Sequence, residues 1–105
     1  MKPPREPSSE PELDRFVHEP ARLNLLTNLF VVEGADATWL MQQTGLTWGN
    51  LASHLAKLEG AGYVEVRKSF RGRKPNTAYS ITETGRAALL GYREHMLHAF
   101  AALDA

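Results

Sequence analysis

Residues 38–81 constrain this chain more than any other stretch of it. Apolar positions recur at helical spacing in 38–44 and again in 47–59, and only Gly45-Leu46 separates the two segments. Gly60-Ala61-Gly62 stops the second segment. Two strand-like runs follow, 63–69 and 77–81, in which Val64 and Val66 alternate with Tyr63, Glu65 and Arg67, and Tyr79 and Ile81 alternate on the return. Between them lies Phe70-Arg71-Gly72-Arg73-Lys74-Pro75-Asn76. That stretch is too polar to pack inside anything and predicts an exposed basic loop.

Two helices joined by a short glycine-containing turn, then a hairpin with a basic tip, predict a winged helix-turn-helix. The fold class is mainly α with a small β-hairpin (α+β). Each joint has a physical marker. Thr38 can cap the first helix, Gly45 can take the left-handed conformation that ends it, and Thr47 can cap the second. Leu46, Leu51, Leu55 and Leu58 form the inward stripe of the second helix, with Trp39, Leu40 and the preceding helix to receive them. Its other side carries Thr47, Trp48, Asn50, Ser53 and Lys57, mostly short hydrogen-bonding side chains suited to base edges and phosphates in a major groove. An ordinary amphipathic surface helix is the bland alternative. Gly49 argues against it, because glycine near a helix start weakens the helix without helping it pack; it makes sense where a backbone must approach a ligand closely.

Two side chains of that helix have competing roles. Trp48 can insert toward DNA, pack on the neighbouring wing strand, or join a partner surface. His54 lies at the edge of the buried stripe, where a structural, hydrogen-bonded role competes with base reading. On the hairpin, Arg71, Arg73 and Lys74 surround Gly72, and arginine on such a loop suits the minor groove or flanking phosphates. The candidate DNA-contacting set is therefore Thr47, Trp48, Asn50, Ser53, His54, Lys57, Arg71, Arg73 and Lys74. A binder of single-stranded RNA would show stacking aromatics across the exposed sheet. Here only Tyr63 and Tyr79 are available.

The formal net charge is zero, yet its distribution favours a polyanionic partner. Residues 57–74 hold six basic side chains (Lys57, Arg67, Lys68, Arg71, Arg73, Lys74) against two acidic ones (Glu59, Glu65). Acidic residues gather instead before position 37, at Glu6, Glu10, Glu12, Asp14, Glu19, Glu33 and Asp36. The chain contains no cysteine, which excludes disulfides and thiolate metal sites. No apolar run approaches the roughly 20 residues of a membrane span, and the first dozen residues lack the apolar core of a secretory signal. A cytoplasmic protein is the expectation.

With 105 residues, a single domain is expected over 12–105, preceded by a disordered tail over 1–11 whose four prolines leave it little to bury. Leu13, Phe16 and Val17 share one face of a short helix. A longer helix is expected over about 20–32, with Leu23, Leu26, Leu29 and Phe30 inward and Gly34-Ala35-Asp36 breaking it. Thr82 and Glu83 open a final helix reaching to about 103, in which Leu89, Tyr92, Met96, Phe100 and Leu103 recur at spacings of three and four. That stripe exceeds what one small domain can cover. It predicts a homodimer joined through this helix, with Leu13, Phe16 and Val17 packed against it. Glu94, His95 and His98 fall within one turn of the same helix, but two histidines on an exposed face are the ordinary outcome; no metal site and no cofactor are expected.

No nucleophile–base–acid set, phosphate-binding glycine loop or paired carboxylates emerge, so the chain is not expected to be an enzyme. The segment Leu51-Ala-Ser53-His54-Leu55-Ala-Lys57-Leu58-Glu59-Gly-Ala-Gly62-Tyr63-Val64 resembles the recognition helix and first wing strand of ArsR-like and MarR-like bacterial transcriptional regulators. The run from Phe70 through Tyr79 and Ile81 to Thr84, Gly85 and Arg86 resembles their wing and following helix. The resemblance covers about 18–90. It implies a homodimeric, repressor-type protein that binds double-stranded DNA at a pseudo-palindromic operator, with Thr47, Asn50, Ser53 and Lys57 at DNA-contacting positions and Arg71 and Arg73 at the wing tip. The cysteine metal sites of many ArsR-like sensors are absent, so no effector carries over. The competing expectation is a winged-helix protein-interaction module that never touches DNA.

Overall fold

A computed structural model describes residues 14–104. The expected tail and Leu13 lie outside the described residues. Five α-helices, α1 (Arg15–His18), α2 (Pro20–Phe30), α3 (Ala37–Thr44), α4 (Trp48–Gly60) and α5 (Glu83–Ala101), surround a hairpin of β1 (Val64–Arg71) and β2 (Lys74–Ile81). The winged-helix architecture is as expected.

Capping explains where the helices begin. Asp14 accepts from the Phe16 and Val17 amides and opens α1, and Glu19 accepts from the Arg22 amide to open α2. The start of α3 is a correction: Asp36, not Thr38, is its cap, accepting from Trp39 N–H at 2.8 Å. The reason is one residue upstream. Ala35 pairs with Tyr79 through two backbone hydrogen bonds of 2.9 and 2.8 Å, which holds the chain extended until Asp36 can turn it. Gly45 ends α3 with φ +73°, as expected of that glycine. Helix α2 stops at Phe30, so Val32 lies beyond it.

The core is aliphatic and continuous. Val17, Leu25, Leu26 and Leu29 meet Leu40 of α3, Leu51, Leu55 and Leu58 of α4, Val64 and Ile81 of the hairpin, and Leu89 of α5. Among the described residues no polar or charged side chain is buried. Burying each such aliphatic side chain is worth roughly 1.5–3 kcal/mol, and this cluster fixes α4 against the hairpin.

The hairpin is longer than the sequence suggests. Pairing runs from Val64↔Ile81 to Arg71↔Lys74, which leaves only Gly72-Arg73 as the turn. Gly72 has φ +63° and Arg73 does not go positive, the pattern of a two-residue II′ turn matched to strand twist. The expected seven-residue loop is therefore mostly ladder. Pro75 fits within β2 because that strand meets Ala35 only at Tyr79, leaving an open edge beyond it.

Candidate nucleic-acid interface

Helix α4 presents two faces with opposite chemistry. Leu51, Leu55 and Leu58 are buried, while Thr47, Asn50, Ser53 and Lys57 are exposed. Asn50, Ser53 and Lys57 are spaced three and four apart and so form one outward stripe. Thr47 Oγ1 accepts the Asn50 amide at 3.3 Å, which starts the helix at once and leaves its first turn clear of the domain. Among the described residues a Cβ added at Gly49 would meet open space, so none of them requires a glycine there.

His54 departs from the expected contact set. It lies on the inner flank of α4, with Nδ1 3.8 Å from Glu19 Oε2 and its side chain 19% exposed. It therefore points at the start of α2 and away from the Asn50–Lys57 stripe. Burial alone would raise the Glu19 carboxyl, but amide donation from Arg22 and Ala21 outweighs it, helped by the nearby charges of His54 and Arg22, and the net shift is downward from 4.5.

Trp48 takes the other flank. It is 54% exposed and borders a cleft of 580 Å³ between α4 and the hairpin, with Ala52, Ala56, Val66, Lys68 and Tyr79 among the walls. The ring thus stands at the mouth of that cleft, beside the stripe and not within it. Tyr79 in the same cleft has its phenol pushed above 10.0, by burial first and by the Glu59 carboxylate second. Lys68 is the residue that sequence reasoning undervalues. Strand alternation aims it toward α4, a signal available once the register Lys68↔Thr77 is known.

At the wing, Arg71, Arg73 and Lys74 are all exposed around the two-residue turn. Arg71 also borders a shallow cavity with Asp36, Trp39 and Asn76, on the hairpin side facing the start of α3. The stripe on α4 and the tip of the wing are thus separate cationic and hydrogen-bonding surfaces linked by the Trp48–Lys68 cleft.

The winged helix DNA-binding domain family matches residues 21–99, which span α2 to most of α5. The chain belongs to this family. An uncharacterized protein of Methanocaldococcus jannaschii is 38% identical over 71 residues, covering 68% of this chain and 77% of the relative. The structure of a transcriptional regulator homologue from Pyrococcus horikoshii OT3 superposes with a TM-score of 0.81 at 27% identity, over 88% of this chain and 91% of that one. The transcriptional repressor BigR from Xylella fastidiosa superposes with a TM-score of 0.63 at 27% identity, over 78% of each chain. The family is one of non-enzymatic DNA-binding regulators, and no helix among the described residues is long and apolar enough to cross a membrane.

The expected dimer surface divides in two. Val17 and Leu89 are consumed by the domain's own core, at 0% and 8% exposure, and so offer a partner nothing. Phe16 is held internally as well: its ring meets Tyr63 edge-on at 5.7 Å, and the Arg22 guanidinium lies 4.3 Å from its centre. Tyr92 is half-buried and hydrogen-bonded to His18 Nδ1 at 2.8 Å. The outer part of α5 and the 3-10 turn that follows it (Ala102–Asp104) are different. Leu97, Phe100 and Leu103 are exposed and Met96 half-buried, and Met96, Leu97 and Phe100 border an apolar groove of 480 Å³ between α5 and the α2 side at Leu23, Thr27, Phe30 and Val31. Among the described residues there is no cluster of three groups able to hold a metal, Glu94, His95 and His98 included.

Proposed function

We propose that this chain is a sequence-specific regulator of transcription that binds double-stranded DNA as a homodimer, acting in the cytoplasm as a repressor at a pseudo-palindromic operator. Helix α4 lies in the major groove, where Asn50, Ser53 and Lys57 meet base edges and phosphates, with Thr47 at the helix start. The wing, through Arg71, Arg73 and Lys74, lies on the adjacent minor groove or backbone. The observation that carries this reading is the exposed stripe of Asn50, Ser53 and Lys57 beside a basic hairpin, in a chain of the winged-helix DNA-binding family. The likeness to the repressor BigR supports repression over activation.

Dimerisation uses the outer half of α5 and the turn after it, through Met96, Leu97, Phe100 and Leu103, with the Phe30–Val31 end of α2 as the receiving surface. A recognition helix in so small a domain reads only a few base pairs, and two protomers place their helices about one helical turn of DNA, or a multiple, apart.

Selection of bound duplexes from a random pool, followed by comparison of the parent with Asn50→Ala, tests the reading. The expected product is an inverted repeat. Asn50→Ala then narrows the gap between selected and random duplex by roughly 1–3 kcal/mol. Failure to enrich any duplex would overturn DNA binding in favour of a protein-interaction module, and equal weakening on both duplexes would remove Asn50 from base reading.

A further inference from the structure

The wing carries an apolar feature that phosphate binding leaves unused. Phe70 is 72% exposed, two residues short of Gly72 at the tip. Its cross-strand partner is Pro75, also exposed, and the pair makes a ridge beside Arg71, Arg73 and Lys74. One exposed aromatic ring is not unusual by itself; its place at the tip of a basic wing, paired across the ladder with proline, is what singles this one out.

The direction of the ridge follows from strand alternation. Phe70 shares a face of β1 with Val66 and Lys68, and Pro75 shares a face of β2 with Thr77 and Tyr79. Val66, Lys68, Thr77 and Tyr79 all line the cleft opposite Trp48, so this hairpin face is the one turned toward α4. Arg71 and Lys74, paired across the ladder, belong to the opposite face, and Arg73 occupies the turn. The ridge thus lies on the hairpin face nearer α4, with Lys68 on the same face and Arg73 in the turn beyond it.

We propose that Phe70, braced by Pro75, is an apolar wedge that enters a minor-groove base step of duplex DNA and kinks it. The proposal rests on the DNA-binding reading and adds deformation of the duplex to it. A ring inserted between base pairs replaces part of the stacking it disrupts, and cations near it hold the phosphates that border the opened minor groove. Pro75 fixes the backbone behind the ring. A wedge of this kind reads sequence indirectly, favouring pyrimidine–purine steps, which unstack most easily. A Phe70–Pro75 pair that merely stiffens the hairpin would leave the shape of bound DNA untouched.

The test uses the full chain and a duplex recovered by selection, labelled at both ends for energy transfer, with affinity read in parallel by anisotropy. The parent is expected to bend the duplex by at least about 20°. Phe70→Ala is expected to bind still, more weakly, while losing most of that angle, and Phe70→Leu to keep most of it. 2-Aminopurine at the kinked step should brighten with the parent and not with Phe70→Ala. Binding by the parent without bending, or unchanged bending by Phe70→Ala, overturns the wedge and leaves the DNA-binding reading intact. Absence of binding to any duplex overturns both.

Discussion

Alanine at Gly85 and alanine at Gly91 should change stability in opposite directions, although both glycines lie inside α5. Gly85 is where the last helix meets the start of the hairpin. Thr82 ties the two together: its amide donates to Tyr63 O at 3.0 Å, its hydroxyl donates to Gly62 O at 2.6 Å and accepts the Gly85 amide at 3.0 Å. A Cβ on Gly85 would collide with the Tyr63 carbonyl and stand 2.9 Å from Ile81 Cγ1. Both obstacles are fixed, one being backbone in the Thr82 link and the other a core side chain. Overpacking of this kind costs roughly 1–3 kcal/mol, and collision with rigid backbone argues for the upper part of that range. Alanine recovers about 1 kcal/mol through helix propensity. The net expectation for Gly85→Ala is a loss of about 1–2 kcal/mol, or a Tm lower by roughly 4–16 °C for a domain of this size. Among the described residues a Cβ on Gly91 meets nothing within 4 Å, so Gly91→Ala should keep the propensity gain and raise stability by up to about 1 kcal/mol. Thermal and urea unfolding followed by circular dichroism at one protein concentration measures both. A Gly85→Ala protein as stable as its parent would show that α5 does not approach Tyr63 this closely.

The outward face of α4 is legible in the sequence for a physical reason: its period is that of the helix, and the Leu51–Leu55–Leu58 stripe leaves Asn50, Ser53 and Lys57 only one direction to face. What stays hidden is whatever depends on a neighbour distant in sequence. His54 reads from the sequence as more often structural than base-reading, but its partner stays hidden until Glu19 is known to stand beside it. Asp36 displaces Thr38 as a cap because of the Ala35–Tyr79 bridge, a pairing that no local pattern announces. The strands read short from the sequence because Phe70 to Asn76 has the composition of a loop, whereas a glycine with positive φ lets the ladder run to Arg71↔Lys74. The apolar stripe from which a dimer is expected reads too wide for a related reason. Periodicity marks an apolar face but cannot divide it between the chain's own core, which takes Val17 and Leu89, and the exposed remainder at Leu97, Phe100 and Leu103.

Replacing Arg71, Arg73 and Lys74 with alanine should weaken binding to all duplexes, and reduce the slope of log K against log salt by about 0.9 for each phosphate no longer neutralised; an unchanged slope in a salt titration would mean that the wing projects away from DNA. The Glu19 carboxyl is held below 4.5 in the folded chain, so the stability it lends is present above that pH and disappears as pH falls through the lowered value. Glu19→Ala should therefore be weaker by about 1 kcal/mol at neutral pH, the usual worth of a helix cap, and its unfolding curve should converge on the parent's in acid; a gap that persists in acid would assign the effect to packing. The last outcome concerns the dimer. Met96 and Phe100 lie outside the buried core, so aspartate at both should leave the winged domain folded. If α5 joins two protomers, the double substitution removes four apolar side chains from the interface, on the order of 6 kcal/mol at the low end, or about four decades in dissociation constant. Sedimentation should then show the variant at the monomer mass of 11.7 kDa and the parent at twice that at micromolar concentration. A parent that sediments as a monomer while binding its operator tightly would refute dimerisation, because one α4 could then supply the whole of the reading.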